Sequence, residues 1–83
     1  MIWTAFPPRL VELGERAGLT PVASAHVAGR TYAVVIFDRD PTHYRAAFGD
    51  EEAGSFLKIL FRTAEEAEAH LELIAEGFKC GSA

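Results

Sequence analysis

Four glutamates, Glu65, Glu68, Glu72 and Glu76, recur at spacings of three and four near the C-terminal end of the chain. On an α-helix they project within roughly 80° of arc. Only Glu76 has a base in helical reach, Lys79 at i+3. Glu68–Glu72 and Glu72–Glu76 are like-charge i,i+4 pairs, each costing on the order of a few tenths of a kcal/mol. Glu76 also sits at the negative end of the helix dipole. A helix shaped by stability alone would intersperse lysines. The ridge therefore reads either as a solvated face or as a landing strip for a basic partner surface. Leu73 lies beside it, away from the apolar arc, where it can anchor such a partner or a second copy.

A second group is Asp38-Arg39-Asp40-Pro41-Thr42-His43. Asp38, Asp40 and His43, following a β-branched run, can hold a divalent cation or act as an acid/base group. Asp-x-Asp before proline is also ordinary turn chemistry, with the carboxylates accepting from local N–H groups. The acidic stretch Asp50-Glu51-Glu52 lacks the spacing of a calcium loop and reads as a loop tip. His26, His43 and His70 are scattered. Cys80 has no nearby histidine or second cysteine to activate it. No phosphate loop, nucleophile elbow or dinucleotide fingerprint occurs. No catalytic residue, metal ligand set or cofactor is assigned.

The elements that carry these groups follow from breakers and periodicity. Pro8 suits a helix first turn, and Leu10, Leu13, Gly14 and Ala17 recur at helical spacing, so a short helix is predicted over Arg9–Ala17. Gly18 and Pro21 close it. Val22–Val27 and Thr31–Asp38 form a hairpin around Ala28-Gly29. His43–Phe48 and Ser55–Phe61 read as further strands. Thr63 to Glu66 is a capping box that opens a helix running to about Phe78. Its apolar arc is Ala64, Ala67, Leu71, Ile74 and Phe78. The predicted fold is α+β: a small antiparallel sheet of three to four strands with two helices on one face, in the order α-β-β-β-(β)-α. Trp3, Phe6 and Pro7-Pro8 are expected to cover one end of the sheet.

Composition limits the function classes. Eighty-three residues make one domain, residues 1–83, with little left over for a deep pocket. The net charge of −4 argues against DNA or RNA as a direct ligand. No apolar run is long enough for a membrane span, the N-terminus lacks the basic region of a signal peptide, and one cysteine suits a reducing, cytoplasmic setting. The leading expectation is a non-enzymatic interaction module. One version is a small acidic inhibitor or regulator of a nucleic-acid-handling complex, of the anti-CRISPR-like kind carried by phages and mobile elements. That likeness is one of size and charge alone. The alternatives are a homodimeric accessory protein, formed by strand addition or through an open sheet face, and a small metal-dependent enzyme or metal binder using Asp38, Asp40 and His43. The apolar surplus of Tyr32, Val34, Ile36, Phe56 and Leu60 favours the homodimer among these.

Overall fold

A computed structural model describes residues 1–50 and 54–81, with the side chains of 78–81 left undescribed. The order is α1 (Pro8–Arg16), β1 (Leu19–Val27), β2 (Arg30–Phe37), β3 (Asp40–Gly49), β4 (Gly54–Phe56) and α2 (Ala64–Gly81). The strands form an antiparallel meander, β1-β2-β3-β4. This is the expected α+β fold, with both helices in contact with the sheet.

The core lies between α2 and one sheet face. Tyr32, Val34 and Ala46 meet Ala67, Leu71 and Ala75, and Phe61 closes the end. Each strand contributes alternate residues, so the β2 set is Tyr32 and Val34 while Ala33 and Val35 point away. The sequence arc of α2 named Ala64, Ala67, Leu71 and Ile74 correctly as apolar-side residues; Ala75 belongs with them. Phe78 lies among the side chains not described. Thr63 caps the helix by accepting from the Glu66 N–H at 3.1 Å. Glu66 returns to the Arg62 N–H at 3.2 Å, one residue before the expected Thr63 N–H.

The helices do not share a face, which corrects the expected packing of both on one side. Gly14 of α1 sits on Pro21 and Leu19. Those two residues pair with Val35 and Phe37, on the side opposite Tyr32 and Val34. The cause is a β-bulge between Pro21 and Ala23. Val22 is an extra residue in β1, and one extra residue moves everything beyond it to the other face. Without the bulge Pro21 would line up with Ala23 and Ala25, under α2. β1 also begins at Leu19, earlier than its expected start at Val22, because the bulge at an edge strand accommodates Pro21.

The last strand is shorter than expected. Ser55–Phe61 is the predicted span, but β4 ends at Phe56, with one further backbone bond from the Leu57 N–H to the Ala46 carbonyl at 2.8 Å. The chain leaves the sheet over residues 58–60 and rejoins it where Phe61 exchanges two backbone hydrogen bonds with Tyr44, at 2.8 and 3.0 Å. Leu57 and Phe61 face the core, while Ile59 and Leu60 are exposed. At the other edge Thr4 exchanges backbone hydrogen bonds with Ser24 at 2.9 and 2.8 Å, so the N-terminal arm protects β1 at one point without forming a full strand.

The β1–β2 hairpin turns through Ala28 and Gly29, at φ of 52° and 78°. Two central residues with positive φ define a type I′ turn. Alanine is strained there, because its Cβ crowds the carbonyl. Ala28→Asn is expected to stabilise the protein by about 0.5–1 kcal/mol, read as a Tm rise of roughly 2–8 °C for a chain of this size. An unchanged or lower Tm would show that the turn relaxes without cost.

Candidate functional site

α2 presents the acidic ridge along the flank and outer side of its buried stripe. Glu65 and Glu76 are exposed, and Glu68 and Glu72 are half-buried. Among the described residues no base forms an ion pair with any of the four. The Lys79 side chain lies outside the described set. Burial first, then the charges of Glu65 and Glu72, push the Glu68 carboxyl above its ordinary pKa. Among the described residues the ridge is thus a concentrated negative surface without a paired cation. Leu73, 68% exposed, stands beside it on the solvent side of the helix, as the sequence implies.

One glutamate is partly committed within the chain. Trp3 Nε1 donates to Glu72 Oε1 at 3.0 Å, while the indole packs on the core. This ties the N-terminal arm to α2 and agrees with the covering role expected of Trp3. No local spacing signals the bond, because its ends are 69 positions apart. Trp3→Phe keeps most of the ring contact and removes the donor. It is expected to cost about 1 kcal/mol, toward the low end for a charge-assisted bond because the site is only partly buried. Denaturant melts would show it, and a cost near zero would mean water replaces the indole freely.

The Glu68 shift has a testable sign. A carboxyl whose folded pKa is raised opposes folding while ionised and ceases to do so as pH falls through that pKa. Glu68→Gln is therefore expected to stabilise the fold near pH 7 by about 0.5 kcal/mol, from two relieved like-charge contacts. The gain should vanish at about pH 3.5, where wild-type Glu68 is already protonated. Thermal melts at the two pH values measure it, and an equal gain at both would rule out charge as the cause.

The structure divides the second constellation. Asp40 and His43 come together: His43 Nδ1 lies 3.1 Å from both carboxylate oxygens. Thr42 donates to Asp40 at 2.9 Å, and Arg45 approaches it at 3.7 Å. The hydrogen bonds from His43 and then Thr42 hold the Asp40 carboxyl below its ordinary pKa against the opposing effect of burial, and the charges of His43 and Arg45 add to the lowering. Its contribution to stability is present above the ordinary carboxylate range and is lost as pH falls through the lowered pKa. Asp38 stands apart, exposed, accepting from Thr20 at 3.4 Å. Among the described residues no three metal-ligating side chains converge. Asp40 therefore behaves as a local anchor for the start of β3. Glu51 and Glu52 of the acidic loop lie outside the described residues, as do the side chains of Lys79 and Cys80.

A third surface was only partly visible in the sequence. The sheet face opposite α2 carries α1 at its β1 side; farther across, Val35 is buried, Ala33 and Ala47 are half-buried, and Phe56 is exposed. Ala33 and Ala47 lie side by side there, and Phe56 pairs with Ala47 on the same face. Phe56 is half-exposed and meets Phe37 edge-on at 5.2 Å. Of the apolar surplus noted in the sequence, Tyr32 and Val34 are buried under α2, Ile36 is half-buried, Phe56 faces this open side, and Leu60 lies off the sheet. Among the described residues no helix is long and apolar enough to cross a membrane. The chain matches no family model, no curated protein and no solved structure.

Proposed function

We propose that this protein is a non-enzymatic interaction module whose α2 ridge docks on a basic protein surface. The observation that supports this reading is that Glu65, Glu68 and Glu76 sit on a rigid helix with no cation of the chain paired to them among the described residues. Unneutralised like charges on one helix face cost stability, and a cationic partner converts that cost into complementarity. A groove that normally holds phosphates is the best match, since it offers several arginines or lysines at repeated spacing. In that version the protein is a small inhibitor or regulator of a nucleic-acid-handling complex, and Leu73 supplies an apolar anchor beside the charges.

The Trp3–Glu72 bond shapes the test. Reversing Glu72 would damage the fold, so the informative variant is Glu65→Lys, Glu68→Lys, Glu76→Lys with Glu72 intact. Circular dichroism and a melt show whether it is folded. Wild-type protein should then capture a partner from its native extract that elutes as salt rises, and the triple variant should not. Added wild-type protein should also displace nucleic acid from that partner. Retention of the same partner by the folded triple variant would remove the ridge as the contact.

A further inference from the structure

α1 turns an apolar flank outward on its side of the sheet. Leu10 and Leu13 are 42% and 52% exposed, and Ala17, one turn on from Leu13, lines a depression of about 530 Å³ with Leu19, Phe37 and Phe56. Phe37 and Phe56 touch edge-on at 5.2 Å, so the depression lies between this ring pair and the end of α1. Phe56 is itself 49% exposed. Leu10, Leu13 and Phe56 together leave on the order of 300 Å² of apolar surface in water, the size of patch that is often functional on a single chain.

The charges divide along the same line. Arg9 and Arg16 lie four before and three after Leu13, so they border the leucine flank, while Glu12 and Glu15 lie farther round the helix. Both arginines are exposed and, among the described residues, neither forms an ion pair. The sheet side carries Asp38, Asp40 and Asp50 against Arg39 and Arg45, an excess of negative charge. Asp38 is exposed and lines the depression beside Arg39, whose guanidinium stands over the Phe37 ring at 5.4 Å.

We infer that this side of the molecule is a two-fold interface with a second copy of the chain. Leu10 and Leu13 of each copy enter the depression of the other, and Arg9 and Arg16 meet the aspartates there, Asp38 foremost. A second copy is the occupant because one chain carries both halves of the contact. An apolar knob with a positive border and an apolar hollow with a negative border stand side by side on one surface. Within the chain neither satisfies the other, since the leucines stay half-exposed and the arginines unpaired. A two-fold axis brings each against its counterpart at once. A standard interface covers about 800 Å² per partner, a little over half of it apolar. The leucines, Ala17 and the two phenylalanines supply that apolar centre, and the arginines and aspartates form the rim. The inference does not depend on the α2 ridge. α2 lies on the other side of the sheet, so such a dimer carries two ridges facing outward.

Sedimentation velocity of the whole chain from about 5 to about 500 μM is the test. The mass should rise from one chain to two and no further, as a closed two-fold contact requires. Leu13→Asp, at a half-exposed position, should leave the circular dichroism spectrum unchanged and raise the dimer Kd about thirty-fold or more. The double variant Arg9→Asp, Arg16→Asp and the single variant Asp38→Arg should each raise it about ten-fold, because each sets like charges together at two symmetric places. Mixed in equal amounts, these two charge variants should form a heterodimer as tight as the wild-type dimer, since both contacts then join opposite charges. A chain that stays monomeric up to about 500 μM would overturn the inference. So would a dimer that folded Leu13→Asp leaves intact, as pairing along the edge of β4 would be, and so would charge variants that do not recover each other on mixing.

Discussion

Leu71→Ala is expected to destabilise the protein by about 2–5 kcal/mol, the largest effect of any substitution considered. Leu71 is fully buried and packs in the cluster with Tyr32, Val34 and Ala46. The other buried residues of the helix are alanines, Ala67 and Ala75, so Leu71 is the largest fully buried side chain of α2 among the described residues. Truncation loses the transfer free energy of the buried carbons and leaves a cavity whose walls are held by β2 and β3. A domain of this length has a total stability of about 4–12 kcal/mol. The variant thus approaches the threshold of folding, and the docking proposed for the α2 ridge should be lost with it. Leu73→Ala is the internal control. Two residues away and 68% exposed, it should change stability by less than about 0.5 kcal/mol. Urea denaturation of the two variants compares them directly. Midpoints that fall equally would show that α2 is not seated on the sheet through Leu71.

Gly14→Val ranks second, with an expected cost of about 1–3 kcal/mol. A Cβ at position 14 would lie 2.9 Å from Pro21 Cγ, 3.1 Å from Pro21 Cδ and 3.0 Å from Leu19 Cδ1. Leu19 can rotate aside, but the proline ring cannot, because its atoms are fixed to the strand. The helix must lift away from β1. Gly14→Ala is the graded comparison. Alanine gains about 1 kcal/mol in helix propensity over glycine, which offsets part of the clash, so its net effect should be smaller than that of valine. Thermal melts of both variants decide the matter. A Gly14→Val protein as stable as the wild type would mean that α1 packs loosely and that the partial cover of the open face is not fixed by this contact.

The candidate surfaces were legible to different degrees. The glutamate ridge could be read from spacing, since i, i+3, i+4 positions on one helix need no tertiary information. Leu73 followed from the same geometry. The grouping of Asp38 with Asp40 and His43 did not survive, because Asp38 lies in the turn after β2 and accepts from Thr20 while Asp40 begins β3. Proximity in sequence across a tight turn does not place side chains together. That Ala33, Ala47, Phe37 and Phe56 share the face opposite α2 was only hinted at by the surplus of apolar strand residues. Which of those residues remain uncovered depends on where the helices land.

The elements of this protein can be read from the residues alone: a capped C-terminal helix with one apolar arc and one acidic ridge, a hairpin at Ala28-Gly29, and further strands running antiparallel, though not their order in the sheet. These are local properties, set by periodicity, capping and turn residues within a few positions. Only the tertiary structure decided which face each helix covers. One inserted residue, Val22, reverses the side on which Pro21 and Leu19 project and carries α1 to the far side of the sheet. Side-chain direction in a strand has a period of two, so a single irregularity changes every assignment beyond it. Whether a bulge forms is settled by the pairing of β1 with β2, which strand-by-strand reading does not contain.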